Sequence, residues 1–207
     1  VDVVIDEATE DAQMMGGVVP LEDSYFATTF FEFVWKRGAW LVLLFLGQML
    51  TATVMERNGN LLEHAVDLMI FIPLIISSGG NAGSQSSTLV IRGMSLGEIA
   101  PRDWLKVMRR ELGIGLCLGL LLGFLGAART VLSGTVVEPM RLALVIGSSV
   151  VAVVSLAGMI GSLLPMAIRK VGLDPAVSST PFIASVVDVL GLIVYFGIAN
   201  AVLEIIT

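Results

Sequence analysis

Five apolar runs decide what this chain can become. Residues 38–55, 66–91, 112–128, 142–168 and 181–206 are each mostly hydrocarbon, over close to the roughly 20 residues a helix needs to cross a bilayer. A backbone inside hydrocarbon must satisfy its own amides and carbonyls, and within one segment only a helix does so. The sequence therefore predicts an all-α polytopic membrane protein with five transmembrane helices per subunit. Composition agrees, because 14% of the residues are charged against roughly 25% in soluble domains.

The net charge of -6 is a local property. Asp2, Asp6, Glu7, Glu10, Asp11, Glu22, Asp23 and Glu32 all precede the first base, Lys36, and without these eight acids the chain carries +2. Val1, Ile5, Ala8, Ala12 and Met15 fall at helical spacing, with acids on the other faces, which predicts an amphipathic helix. Gly16, Gly17 and Pro20 end it. Its acids read either as a solvated face or as carboxylates that hold divalent cations; both readings stand. The chain divides into an acidic connecting helix and linker, 1–24, and a five-helix membrane domain, 25–207. The first 35 residues lack a basic start and an apolar signal core, so no signal peptide is expected. The opening at Val1 suggests the membrane part of a longer protein. Cys117 is the single cysteine, which rules out a disulfide within the chain and reads as packing.

With the N-terminus inside, Lys36, Arg37, Arg92, Arg102, Lys106, Arg109, Arg110, Arg169 and Lys170 fall on the inner side, and Arg57, Arg129 and Arg141 on the outer. Nine bases against three orient the protein with its N-terminus cytoplasmic and its C-terminus outside, in the cell's inner (plasma) membrane. Gly115, Gly119 and Gly123, followed by Ala127, form a small-residue ridge for close helix packing. The inner segment 93–111, with Pro101 ahead of Trp104, reads as a separate interfacial helix. Sliding the chain by 92 residues superposes Pro73 on Pro165, Gly80 on Gly172 and Ser86, Ser87 and Thr88 on Ser178, Ser179 and Thr180. Such a repeat would set 80–83 and 172–175 at matching depths.

Candidate chemistry begins in the second span, where Ile75 and Ile76 run into SSGGNAGSQSST. Polar side chains and glycine-freed backbone at that depth are tolerated only against protein or a water-filled cavity. Asp188 lies in PFIASVVDVLG, two turns into a helix that Ser179 or Thr180 can cap and Pro181 can start. A carboxylate facing lipid there would cost several kcal/mol. No span contains a lysine or arginine in its core to pair with it, leaving a place on an ion pathway or a buried protonated acid. Asp67, with Glu63 and His64 one turn earlier, reads as a cation-attracting outer mouth or an interfacial helix start. Asp174 before Pro175 is a turn residue or an inner cation ligand. His64 has no histidine or cysteine companion, which argues against a transition-metal site. One carboxylate with the carbonyls of Ala184 and the glycine stretch and the Asn81 amide suits a hydrated Mg²⁺; the same donors also serve Mn²⁺, Co²⁺ or Ca²⁺. The stacked-carbonyl TVGYG loop of a potassium filter is absent.

PLIISSGGNAGSQ from Pro73 to Gln85, together with PFIASVVDVLG around Asp188, resembles the membrane domain of the MgtE family of magnesium channels. VDVVIDEATEDAQMM is similar to the segment that joins that family's cytosolic CBS domains to the membrane. Those regulatory domains are missing from this chain. The resemblance implies a homodimer in the lipid bilayer with a pore on its two-fold axis, lined by the second and fifth helices. It implies that Asp188 of both subunits binds hydrated Mg²⁺, with the backbone near Ala184, Gly80 and Asn81 contributing, and that the acidic helix acts as a gate. No enzymatic activity and no nucleic-acid partner are expected. The competing readings are a coupled cation exchanger rocking about the repeat, an intramembrane aspartyl protease built on Asp67 and Asp188, and an assembly subunit without transport of its own.

Overall fold

The computed structural model describes residues 2–21, 24–134 and 138–203, the side chains of residues 2–8 and of residue 64 excepted. Seven helices follow one another: α1 Asp2–Met15, α2 Phe30–Arg57, α3 Gly59–His64, α4 Asp67–Ser95, α5 Trp104–Leu132, α6 Pro139–Lys170 and α7 Thr180–Leu203. No strand occurs among the described residues. The described parts of all five apolar runs lie on long helices, save Val66, which caps α4. Among the described residues, four stretches are long and apolar enough to cross a membrane: α2, the run Pro101–Leu132, α6 and α7. The 29-residue α4 matches them in length, but its second half holds the polar, glycine-rich stretch.

The long helices alternate in direction. Gly79 of α4 sits against Val153, and Gly83 against Ala157 and Gly161, so α4 and α6 run parallel. Antiparallel to them, α5 sets Gly115 on Ser155, Gly119 on Val151 and Gly123 on Gly147. On the other side α7 sets Ile183 against Gly83 and Ala184 against Gly80, and the Tyr195 hydroxyl donates to Leu68 O at 2.9 Å. Lastly, α2 runs parallel to α7, with Trp40 beside Ser179 and Gln48 beside Asp188. In bilayer there is no hydrophobic drive between helices, so this contact rests on close backbone approach and dispersion. The glycines supply that approach, and α6 lies at the centre of it. Helix α2 is the outlier, with Thr51 as its buried residue.

Three expectations need correction. The glycine-rich stretch is not loosened backbone: Gly79, Gly80, Asn81 and Gly83 all lie inside an unbroken α4, because α6 and α7 pack on the face those glycines bare. Segment 93–111 is not a separate interfacial helix. The chain turns at Gly97 (φ 72°), passes a 3-10 turn at Pro101–Asp103, and Trp104 opens α5 itself; no proline interrupts the run from Trp104 into the span. Nor does the 92-residue repeat hold in three dimensions. Gly80 is mid-helix, whereas Gly172 lies past the end of α6 in a left-handed turn (φ 83°). The backbone contact of Gly83 with Gly161 sets the register of α4 against α6, leaving Gly172 well beyond the depth of Gly80.

Helix α1 ends as expected, with Gly17 at φ 74°. A side chain at Gly17 would collide with Trp40, its Cβ 2.6 Å from Nε1. Lys36 Nζ donates to Pro20 O at 2.8 Å, and Ser95 Oγ to Asp11 Oδ2 at 3.5 Å. The end of α1 is thus seated at the start of α2, the end of α4 and the turn before α7. The acid side chains of Asp2, Asp6 and Glu7, and residues Glu22 and Asp23, lie outside the described residues, and with them most of the candidate cation-holding face.

Candidate functional site

Asp188 sits where three helices meet. Its own helix begins as the sequence predicts: Thr180 is the first residue of α7, and Ser179 caps it, its Oγ accepting from Phe182 N at 3.3 Å. Trp40 Nε1 donates to the same oxygen at 3.1 Å, tying the start of α2 to the cap of α7. Asp188 comes eight residues after Thr180, about 12 Å along the axis. It is 9% exposed. Gln48 Nε2 of α2 donates to its Oδ2 at 3.3 Å. On α4 the facing residue is Gly80, where a Cβ would stand 3.8 Å from Asp188 Oδ1 and 3.6 Å from the Cβ of Ala184.

Asp188, Ala184 and Gly80 are therefore brought together. The carbonyls of Ala184 and Gly80 belong to helical ladders, so each has only its second lone pair to offer a ligand. Asn81 is on a different face. It is exposed, with its amide 3.5 Å from Ser77 Oγ, and it continues down α4 through Gln85 and Thr88, also exposed. Ser84, Gln85, Thr88 and Leu89 line an open cavity of about 400 Å³. This is a polar stripe on the outside of the described chain, which hydrocarbon would not tolerate if it faced lipid.

The other two aspartates lie elsewhere. Asp67 is the first residue of α4, thirteen residues or about 20 Å from Gly80 along the helix. There its carboxylate favours the helix N-terminus. Asp174 is exposed and caps the turn Pro175–Val177, its Oδ1 accepting from Ala176 N at 2.8 Å. No group of three or more histidine, cysteine, aspartate or glutamate residues able to hold a metal occurs among the described residues. A lone carboxylate cannot replace the hydration shell of a hard divalent cation, but it can hold such an ion through its waters.

Sequence reasoning missed Gln48 and Trp40. Gln48 carries the one side-chain amide in 38–55, and a carboxamide at that depth signals a polar partner on another helix. Trp40 had no such signal, since a tryptophan near a helix end is ordinary membrane-interface chemistry.

A family model described as MgtE, divalent cation transporter, matches residues 72–198, from the apolar half of α4 past Asp188. The "Magnesium transporter MgtE" of Thermus thermophilus is 37% identical over 204 residues, covering 98% of this chain and 44% of that protein. Proteins of the same name from Enterococcus faecalis and Bacillus subtilis are 33% and 30% identical, covering 97% of this chain in both cases and 43% and 44% of their own lengths. The chain thus spans under half the length of the curated relatives it matches.

Proposed function

We propose, from the premise that the chain belongs to the MgtE family of divalent cation transporters, that it is the pore-forming part of a Mg²⁺ channel working as a homodimer. The observation that carries the reading is Asp188: a carboxylate buried in an apolar helix, facing a glycine and held by one amide donor. Two such carboxylates, one from each subunit, suit a small hard cation that keeps most of its waters and is held by one or two acids. The exposed stripe of Asn81, Gln85 and Thr88 supplies the polar wall that a hydrated ion requires, and the two-fold axis is the one arrangement that hides both stripes from lipid. The pore is then lined by α4 and α7, the second and fifth of the long helices. Ions move into the cytoplasm, towards the side where the bases cluster and α1 is seated. Asp67 at the outer mouth is able to concentrate cations ahead of the pore, and Asp174 on the inner side to receive them at its exit. Helix α1, held against Trp40 and the turn before α7, is positioned to close the inner end, under the control of CBS domains in the full-length protein.

Planar-bilayer recording with Mg²⁺ as the only permeant cation and no counter-ion gradient tests the channel. Discrete single-channel currents are expected. Flux that appears only when an opposing ion gradient is supplied would replace the channel by a coupled carrier.

A further inference from the structure

Behind α4, on the face opposite the exposed stripe, lies a carboxyl that the pathway does not use. Glu111 of α5 is 8% exposed, as is Ser86 of α4, and Ser86 Oγ donates to Glu111 Oε2 at 2.5 Å. Gly158 of α6 closes the site, a Cβ there standing 3.5 Å from Ser86 Oγ and 3.6 Å from Glu111 Oε2. Glu111 belongs to none of the ion pairs found among the described residues. Its neighbours Arg109 and Arg110 are exposed. A buried carboxyl with a single neutral partner is costly, and a leucine or glutamine would pack the same seam more simply. Between the buried Ile75 and Val90, the fully buried residues of α4 are Gly79, Gly80, Gly83, Ser86 and Ser87, a stretch with no large side chain fully buried to interlock. Such a stretch permits close approach and adds little resistance of its own to rotation, which the apolar packing at its two ends opposes.

We infer that Glu111 is a positioning residue that fixes the rotation of α4 through Ser86, holding Asn81, Gln85 and Thr88 towards the ion pathway. The inference rests on the reading of that stripe as pathway-lining. The opposite restraint is weaker, with Ser84 Oγ 3.4 Å from Thr180 O. One short bond on α5 and one long bond on α7 therefore help hold the rotation of α4 between Ile75 and Val90, where the fully buried residues are all small.

Thiol accessibility tests this without relying on flux. In a Cys117→Ser background, single cysteines are placed at Gln85, Thr88 and Leu89, and the chain in proteoliposomes is labelled with a membrane-impermeant maleimide, with and without Ser86→Ala, Glu111→Ala or Glu111→Gln. In the parent, positions 85 and 88 react, and position 89, at the edge of the same cavity, sets the baseline ratio of rates against 88. Ser86→Ala and Glu111→Ala are expected to raise the rate at 89 about tenfold relative to 88, the scale of one lost buried hydrogen bond to a charged group. Glu111→Gln, which keeps a hydrogen-bonding partner for Ser86, restores the parent pattern. An unchanged pattern in Ser86→Ala, which removes one oxygen and little volume, overturns the positioning role. A glutamine variant as disturbed as the alanine variant also overturns it, because charge rather than the bond would then matter. Position 88 unreactive in the parent would instead sink the pathway reading itself.

Discussion

Along the seam between α5 and α6, a methyl on Gly119 would stand 2.8 Å from Val151 Cα, and one on Gly123 2.6 Å from Gly147 O. Between α4 and α7, a methyl on Gly80 would meet Ala184 at 3.6 Å and the Asp188 carboxylate at 3.8 Å, ordinary contact distances. The first seam uses glycine because backbones touch there. The second keeps a glycine where an alanine would fit, beside the buried carboxylate of Asp188. Glycine without steric need, next to a buried carboxylate, fits the proposed pathway, in which that room would go to the hydration shell of the ion.

The two seams should respond differently to the same substitution. Gly119→Ala forces backbone apart and is expected to destabilise the fold by about 2 kcal/mol, read by thermal unfolding in detergent, while flux per folded protein stays unchanged. If instead it leaves the melting temperature intact, the α5–α6 seam is looser than its contacts state. Gly80→Ala is expected to do the reverse. It leaves thermal stability within about 0.5 kcal/mol, since alanine also favours the helix, yet is expected to lower Mg²⁺ flux about fivefold by taking the room of one water of the ion's shell at Asp188. Equal flux in this variant would erase the distinction between the seams. Gln48→Ala removes a long hydrogen bond of 3.3 Å, and its effect is the smallest: about a threefold loss of flux, restored in Gln48→Asn only if the shorter amide still reaches Asp188.

How much of this was readable beforehand depended on whether the signal was local. The apolar runs, the four-residue spacing of Gly115, Gly119 and Gly123, and the Ser179 cap of α7 are written within one helix each, and the structure has all of them. Asp188 was legible because an acid among Val187, Val189 and Leu190 contradicts its surroundings. What failed were inferences that needed a partner. Gly80 and Asn81 looked like broken helix because glycine favours loops when nothing packs on it; α6 and α7 do pack on it. The apparent repeat matched residues whose depth is set by the Gly83–Gly161 contact, a relation between helices that spacing along the chain does not contain. Gln48 and Glu111 gain meaning only from Asp188 and Ser86, each on another helix.

The most direct test is Mg²⁺ flux into proteoliposomes for the chain and for Asp188→Ala and Asp188→Asn at matched protein content. Both variants are expected to lose more than about 90% of the flux, because neither supplies the charge that holds the hydrated ion. Asparagine matches the shape of the carboxylate, so its failure would isolate charge as the requirement. Flux equal to that of the parent chain in both variants would contradict the account, and the cation path would have to run through a part of the molecule that Asp188 does not touch.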